Sequence, residues 1–565
     1  MSKHAEDGGI KQKEGRRAFL YVRVSSMSRP PAAFLLLLLA ACVAPRRPDV
    51  PLSSRIDAVL GPRQNAGPDG IVLGSCGARL RAEGLLARPG MQGKFSVDGA
   101  ARGPLFALEI IENGRPIVFP PLAHLWWPSH VGMEGRAEGL RLLERKFITA
   151  DDRAVDLVHI QNESCESRTL LLRAAGLLER TVTLAPGALV EFPIVFGGAP
   201  AAGSVDEMLE RHLAEYSGWF EKNIPDFECA DAWFMKLWYH RWFLARAGRV
   251  AAVSDLRWQR GPGGGRTSRR SPAEEWALHL VHPDRERMKS LISGMEPELA
   301  GCFPEGFDES IAIACGVHAD ATACILAPSG DALAHRRCVV IQAQAADVIE
   351  KLLARPDAAK SLESLFPHAY RVLPPEERRY DAVFDRLFDP AQFWTPIPAP
   401  WKSGGTEVVL SFDSLVLEAL ANAIKFYRIP SVTRARFFDF LHRYVRAQFD
   451  GGDFSKPGVP AAVHAETGAW LTPADRDVRS GFADILIRHM GGLTPRADDV
   501  LEFHPIVEAL PWFRFRNVPY RGALLEIRWD AREGFSVKRD GKLLFTTPAL
   551  RHVEWGGKTG LRILD

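Results

Sequence analysis

The stretch PDFECADAWFMKLWYHRWFLAR, Pro225–Arg246, joins a short polar lead to a long run rich in aromatic residues. From Asp231 onward, the apolar and aromatic residues recur at the spacing of one face of an α-helix. They include Phe234, Leu237, Trp238, Trp242 and Leu244. Such a stripe is typical of a helix packed in a core, although its Trp and Tyr rings could also present a face to a cavity. We therefore expect a helix from Asp231 and keep Trp238 and Trp242 as candidate cavity-lining residues.

Upstream of this helix, from about residue 55 to 200, the sequence has the texture of β-structure. Short alternating or β-branched runs such as Phe106–Val118, Leu140–Thr149 and Val190–Val195 are separated by Asn-Gly and Pro-Gly turn signals. Regular short strands of this kind predict an antiparallel β-sandwich. The segment GGAPAAG, Gly197–Gly203, reads as a linker, and Ser204–Glu207 has the form of a capping box that opens the next helix.

Downstream, helical patterns dominate until about residue 490. They fall at 273–299, 331–354, 376–388, 411–427, 431–449 and 478–490. Strand patterns return from about residue 498, and Asp540-Gly541 is typical of a hairpin turn. The sequence therefore predicts a mixed α and β chain of several domains, with a sandwich at 55–200, a large helical domain at 204–495 and a short β appendage at 496–565.

The N-terminal region contains a targeting signal. Ala32–Val43 reads AAFLLLLLAACV, which is too short to span a bilayer comfortably but has the length of a signal-peptide apolar core. Its end, Leu39–Cys42, resembles a bacterial lipobox and implies that Cys42 carries lipid. We expect residues 1–42 to be a leader and 43–54 a linker, with Met1 and Met27 as alternative starts. The expected location is the cell envelope, anchored to the membrane by lipid; a plain secretory signal or a buried helix are alternatives.

Charge and cysteine content exclude several classes of protein. The 565-residue chain has a formal net charge of +2, so nothing favours nucleic acid as a partner. None of its eight cysteines has the C-x-x-C spacing of a zinc or redox motif. The pairs His318–Asp320 and His464–Glu466 each lack a third close ligand, so we expect neither a metal nor another cofactor. The four cysteines between 302 and 338 could form a disulfide or remain free.

Five segments, including the aromatic stretch above, together carry a family resemblance. They are PDFECADAWFMKLWYHRWFLAR (Pro225–Arg246), LFPHAYRVLPPEE (Leu365–Glu377), LFDPAQFWTPIPAPW (Leu387–Trp401), GLTPRADDVLEFHPIV (Gly492–Val507) and FRNVPYRGALLEIRWD (Phe515–Asp530). They resemble the mannosylglycerate-hydrolase-like glycoside hydrolases of the six-hairpin glycosidase group over roughly residues 100–535. This resemblance implies that the helical domain at 204–495 is a central (α/α)6 toroid and that the substrate is an oligosaccharide.

The resemblance also implies two carboxyl groups that would cleave a glycosidic bond with inversion. One protonates the leaving oxygen, and the other activates water on the opposite face of the sugar. Gly306–Ser310, GFDES, is similar to a Gly-Trp-Asp-x-Ser stretch of the family and makes Asp308 the expected acid. Val463–Trp470, VHAETGAW, is similar to the region of the base and makes Glu466 the expected base. Rival carboxylates are Glu407, Asp413 and Asp320.

Aromatic residues near these segments are expected to contact the sugar. Trp394 and Trp401 lie in FWTPIPAPW, whose prolines forbid a helix, and Trp470 closes the segment of Glu466. The segment Trp401–Glu407 departs from the Arg-Gly-Pro-x-Trp run of many family members, so substrate contacts differ. A catalytically inactive carbohydrate-binding lipoprotein on the same scaffold, and less favoured a polysaccharide lyase, therefore remain alternatives.

Overall fold

The structure is a computed structural model that describes residues 52–63, 66, 67, 70, 71, 73, 79–198, 203–246, 360–369, 371, 373–376, 378, 380–474, 481–496, 499–556 and 560–564. The leader with Cys42, the expected acid Asp308, the rival Asp320 and the helices expected at 273–299 and 331–354 lie outside the described residues. None of the described helices is long and apolar enough to cross a membrane.

The strands expected between residues 55 and 200 are present and antiparallel. One sheet has the order β1-β2-β3-β4-β5, a second the order β14-β11-β10-β9-β8 and a third the order β13-β12-β6-β7. Their bounds are β1 Ala66–Gly67, β2 Gly70–Ile71, β3 Leu80–Leu85, β4 Gly93–Val97, β5 Ala100–Arg102, β6 Glu109–Glu112, β7 Arg115–Pro116, β8 Ala123–Trp126, β9 Val131–Ala137, β10 Leu140–Ile148, β11 Ala154–Asn162, β12 Arg168–Ala174, β13 Leu178–Leu184 and β14 Leu189–Phe196.

The second sheet is covered on both faces. Leu140 and Leu142 of β10 belong to the main apolar core, which also contains Leu170 of the third sheet. Phe147 points to the opposite face, because side chains alternate along a strand, and joins a separate apolar cluster with Met208. This cluster fixes the first long helix against the sheets.

That helix, α2, begins as the sequence predicts. The Ser204 hydroxyl accepts a hydrogen bond from the Glu207 amide, and the Glu207 carboxylate accepts one from the Ser204 amide. The described α-helices are α1 Leu52–Leu60, α2 Val205–Asn223, α3 Ala232–Arg246, α4 Phe366–Ala369, α5 Ala382–Leu387, α6 Leu410–Asn422, α7 Arg434–Ala447 and α8 Phe482–Ile485. Short 3-10 turns span Leu362–Leu365 and Asp450–Gly452, and π-helical turns follow α6 and α8 at Ala423–Tyr427 and Leu486–Met490.

The helices expected at 411–427 and 431–449 correspond to α6 and α7 and are confirmed. The pattern at 376–388 yields only the six-residue α5. The pattern at 478–490 yields α8 and the π-helical turn that continues it to Met490. Residues Ala391–Pro400 around the three prolines form turns and bends, as expected from the missing amide donors of proline.

The prediction of a central (α/α)6 toroid at 204–495 is wrong. The described residues hold eight α-helices among many antiparallel sheets, and α4, α5 and α8 have only four to six residues. Strands also interrupt this region: β15, Asp226–Cys229, lies between α2 and α3 and pairs with a strand near the C-terminus. Helical periodicity predicted individual helices, but it does not specify that they form a closed ring of hairpins.

The C-terminal region is built from strands, as expected. A sheet of order β15-β20-β21-β22-β23 combines β15 with β20 Trp512–Tyr520, β21 Ala523–Asp530, β22 Gly534–Arg539 and β23 Lys542–Thr547. Asp540 and Gly541 both have positive φ in the turn before β23, which confirms the hairpin prediction. A second sheet contains β18 Leu493–Thr494, β19 Leu501–Phe503, β24 Val553–Gly556 and β25 Gly560–Ile563.

Candidate functional site

A two-stranded sheet brings two distant sequence motifs together. Strand β16, Glu407–Val409, pairs with β17, Ala462–His464, so that Glu407 lies opposite His464. The Trp401 amide donates to the Glu407 carbonyl at 2.9 Å, which attaches the proline-rich aromatic loop to the same sheet. The rival base Glu407 and the segment of Glu466 are therefore neighbours, although 59 residues separate them in the chain.

Glu466 occupies the tip of the hairpin that follows β17. The His464 ring nitrogen Nδ1 accepts hydrogen bonds from the amides of Glu466 and Thr467, at 3.2 and 3.4 Å. The chain reverses at Gly468, where φ is +69°, and its amide donates to the His464 carbonyl at 2.8 Å. Because Glu466 is exposed at this fixed turn, its carboxylate is available to a substrate or a water molecule.

The three tryptophans expected near the site are each half-buried, with different surroundings. Trp401 stacks on Phe412 with ring centroids 4.6 Å apart. One face of Trp394 is covered by the Arg443 guanidinium, 4.4 Å from the ring centroid. One face of each of these two indole rings is therefore already covered by another side chain of the protein.

Trp470 lies on the same hairpin as Glu466. Its ring packs directly against Gly458, where a Cβ would come within 2.3 Å of a ring carbon. Its buried Nε1 has no hydrogen-bond partner. Trp470 therefore places a half-buried aromatic ring on the hairpin that carries Glu466.

Trp238 and Trp242, which were candidates for lining a cavity, lie in the apolar core. Trp238 is fully buried, its Nε1 donates to the Pro225 carbonyl at 3.3 Å, and its ring contacts Phe227 and Phe515. Trp242 packs against Trp238. The helix predicted from Asp231 is confirmed as α3, and its stripe of aromatic residues holds that helix against the C-terminal sheet.

Asp413 is a second unusual carboxyl group close to the two-stranded sheet. It lies in the first turn of α6, which directly follows β16. Its side chain is fully buried and neither oxygen has a hydrogen-bond partner. Burial raises the pKa of Asp413 well above its ordinary value, because the charged form loses its solvation.

A neighbouring loop, 449–458, completes the site and was missed from the sequence. The Gly451 amide donates to the Gly468 carbonyl at 3.1 Å, and the Trp470 amide donates to the Asp450 carboxylate at 3.4 Å. The loop therefore lies against the hairpin of Glu466. No local motif in its sequence, FDGGDFSKPG, indicated this contact.

This loop and helix α3 form a three-ring aromatic cluster. Trp233 meets Phe449 and Phe454 edge-on, with ring centroids 4.7 and 4.8 Å apart. Phe454 is 40% exposed, so part of the cluster faces solvent. Trp233 was visible in the aromatic stretch of α3, but only the folded chain shows which phenylalanines it meets.

Across the described ranges, no three His, Cys, Asp or Glu side chains lie close enough to hold a metal ion.

Comparisons with known proteins identify a shared fold. No protein-family model and no curated protein sequence matches the chain significantly. A solved structure described as a sialidase superposes with a TM-score of 0.50 at 16% sequence identity, over 82% of this chain and 62% of the sialidase. The chain thus spans less than two thirds of the length of that structure.

A family GH92 alpha-mannosidase from Bacteroides thetaiotaomicron also matches, with a TM-score of 0.38 and 9% identity over 84% of this chain and 89% of the mannosidase. The likeness to the sialidase structure shows a shared fold alone and does not single out the mannosylglycerate-hydrolase-like group.

Proposed function

We propose that this protein is a glycoside hydrolase that cleaves an oligosaccharide at the hairpin of Glu466. The observation that carries the proposal is the position of Glu466: an exposed carboxylate on a turn fixed by His464, on the same hairpin as the half-buried ring of Trp470. A carboxylate flanked by aromatic rings and a few polar groups suits sugar recognition. The fold shared with the sialidase supports this class of chemistry.

In the proposed mechanism, Glu466 is the general base that activates water, and Asp308 is the general acid that protonates the leaving oxygen. Inversion requires carboxyl groups about 6.5–9.5 Å apart, which leaves room for the water. The proposed acid needs a raised pKa and the proposed base an ionised carboxylate.

The test is hydrolysis of a panel of α- and β-linked oligosaccharides and aryl glycosides by the protein starting at Val43. Wild type should release sugar, and Glu466→Gln and Asp308→Asn should each lower kcat by about 100-fold or more. Polarimetry or NMR of the first product should show inversion of the anomeric centre.

The matched control is Glu407→Gln, which changes an exposed carboxylate on the paired strand. It should retain activity if Glu466 is the base. Loss of activity in Glu407→Gln with survival in Glu466→Gln would transfer the role to Glu407. No release by any version, together with thermal stabilisation by oligosaccharides, would favour the alternative of a non-catalytic carbohydrate-binding protein.

We further propose that the protein is exported and held at the cell envelope by lipid on Cys42, as the Leu39–Cys42 sequence implies. Expression of the full chain in a bacterial host should place it in the detergent phase on Triton X-114 partitioning. Cys42→Ser should move it to the aqueous phase. A wild-type protein found in the aqueous phase would contradict the anchor.

A further inference from the structure

One imidazole nitrogen holds the turn that carries Glu466. The amides of Glu466 and Thr467 both donate to Nδ1 of His464, at 3.2 and 3.4 Å. These are the two central amides of the turn, and a single acceptor serves both of them. A change that removes this acceptor therefore frees both amides at once.

The two ends of the turn are attached without the His464 ring. The Ala465 amide donates to the Thr406 carbonyl, and the Gly468 amide donates to the His464 carbonyl, each at 2.8 Å. These bonds join backbone groups, so they do not depend on the state of the imidazole. Loss of the two bonds to the ring would therefore release the tip with Glu466 and leave the strands of the hairpin paired.

The same hydrogen bonds require the His464 ring to be neutral. A ring nitrogen that accepts a hydrogen bond carries no proton, so the neutral ring bears its hydrogen on Nε2. A charged imidazole donates from both nitrogens, and its Nδ1 hydrogen would point at the two amide hydrogens. Protonation of Nδ1 by solvent therefore replaces two attractive contacts with repulsion between N–H groups.

Acidic side chains lie around His464 on the neighbouring elements. Glu407 of β16 is its direct partner in the small sheet, so the two side chains are on the same face. Glu466 follows on the turn, and loop 449–458 adds Asp450, while the other two charged residues of that loop pair with each other. The proline-rich segment 391–400, which bonds to the hairpin, has no titratable side chain. The exposed Glu407 is thus placed to pair with a protonated ring, which stabilises the released turn.

We propose that His464 regulates the site at Glu466: its neutral ring holds the carboxylate in place, and its protonation releases the turn and inactivates the site. The inference rests on the proposed function for the role of Glu466, but the state of the turn can be tested without it. His464 is a positioning residue, because it acts through the backbone amide of Glu466. The turn is therefore held while the ring is neutral and is lost as pH falls and the ring becomes charged.

Hydrogen–deuterium exchange of the full chain measures the state of the turn without a substrate. The peptide spanning residues 463–470 contains both amides. Its exchange is followed from about pH 5 to about pH 8, the range in which histidine side chains change charge, and is divided by the intrinsic rate at each pH. We expect two protected amides in wild type at the alkaline end. At the acidic end their protection should fall about tenfold or more, because two hydrogen bonds are lost together.

Two substitutions of His464 separate the acceptor from the charge. Asparagine accepts a hydrogen bond from the amide two residues later and has no charged form, so His464→Asn should keep the protection at every pH. His464→Leu offers no acceptor and should lack the protection at every pH. His159→Asn, which changes a histidine of β11 that pairs with Glu191, is the control and should follow wild type. Circular dichroism checks folding, and if His464→Leu does not fold, the comparison of wild type with His464→Asn decides alone.

A second measurement uses a substrate of the panel that wild type hydrolyses. The ratio of kcat at the acidic end to kcat at the alkaline end should be about threefold or more higher in His464→Asn than in wild type, because the turn of the variant stays closed in acid. His159→Asn should have the wild-type ratio.

Protection that does not change with pH in wild type, or that falls equally in His464→Asn, would overturn the proposal. A turn that responds to pH while the kcat ratios of wild type and His464→Asn are equal would overturn the regulation of the site. A response in wild type that is absent in His464→Asn, with no hydrolysis by any version, would leave the response of the turn standing and remove the hydrolase. Hydrolysis together with a turn that ignores pH would do the reverse.

Discussion

At the scale of single residues, the most unusual group is a buried carboxyl whose oxygens accept no hydrogen bond. Asp413 is fully buried, and both its oxygens lack partners. The sequence showed Asp413 as a rival carboxylate near the aromatic loop, but burial of an acid at one position of a helix is set by the elements packed around it. The sequence alone therefore could not distinguish it from the exposed Glu407 and Glu466.

Asp413 should make stability depend on pH. Its pKa is raised on folding, so between the ordinary value and the raised value the unfolded chain loses a proton that the folded chain keeps. The free energy of unfolding should therefore fall as pH rises through this window, by up to about 1.4 kcal/mol per pH unit. Urea denaturation of wild type and Asp413→Asn between pH 4.5 and 7 measures the difference, which should grow with pH in favour of the variant.

The control for this prediction is Asp499→Asn, at a fully exposed side chain. That variant should follow the wild-type pH dependence. Parallel curves for wild type and Asp413→Asn would show that folding does not raise the pKa of Asp413 and would contradict this prediction.

Gly458 tests the position of Trp470. A methyl group there would lie 2.3 Å from the ring, so Gly458→Ala must displace the indole. We expect a destabilisation of about 1–3 kcal/mol, a shifted tryptophan fluorescence spectrum and weaker sugar binding. Gly103→Ala, where a Cβ meets nothing within 4 Å, should change none of these. An unchanged spectrum in Gly458→Ala would show that Trp470 is not held by this contact.

At the scale of elements, local signals were predicted well and non-local ones were not. The capping box at Ser204, the helices α6 and α7 and the Asp540–Gly541 turn each depend on a few adjacent residues, and the structure contains all of them. The sheet of β16 and β17 was missed because each strand has only three residues. Three residues are too few for an alternating pattern to be recognised in the sequence. That sheet is what brings the candidate site residues together.

The capping box permits a prediction for α2. Ser204→Ala should lower the free energy of unfolding by about 1 kcal/mol, since it leaves the Glu207 amide without an acceptor. Glu207→Ala removes the reciprocal bond, and the double variant should cost less than the sum of the two single changes. Chemical denaturation of the three variants measures this coupling. Strict additivity would mean that the two hydrogen bonds do not support each other.

At the scale of the whole molecule, the toroid prediction failed because it inferred a global arrangement from local patterns. Strand β15 precedes the aromatic helix α3, yet it pairs with β20 near the C-terminus. No feature of the sequence DFEC shows which of several later strands it joins, because pairing is decided by the fold around it. The aromatic residues of α3 then pack against this sheet, through Trp238 and Phe515.

The pairing of β15 with β20 is reinforced by an ion pair between Asp226 and Arg516, which lie 290 positions apart in the chain. The Arg516 guanidinium donates through Nε to the Asp226 carboxylate at 2.7 Å, and the Tyr239 hydroxyl donates to the other oxygen at 2.6 Å. Asp226 is only 4% exposed. Removing Arg516 would therefore leave a buried carboxylate without its counter-charge.

We expect Arg516→Met to lower the free energy of unfolding by about 3–5 kcal/mol. Arg528→Met, on the adjacent strand β21, breaks a pair with the half-exposed Glu533 and should cost about 1 kcal/mol or less. Arg516→Met combined with Asp226→Asn should recover part of the loss, because a neutral amide then replaces the buried carboxylate. Urea denaturation followed by both tryptophan fluorescence and far-UV circular dichroism should show one shared transition in every variant. If the C-terminal sheet instead unfolds in a separate early step in wild type, the β15–β20 pairing does not join the segment around β15 and the C-terminal strands into one cooperative unit.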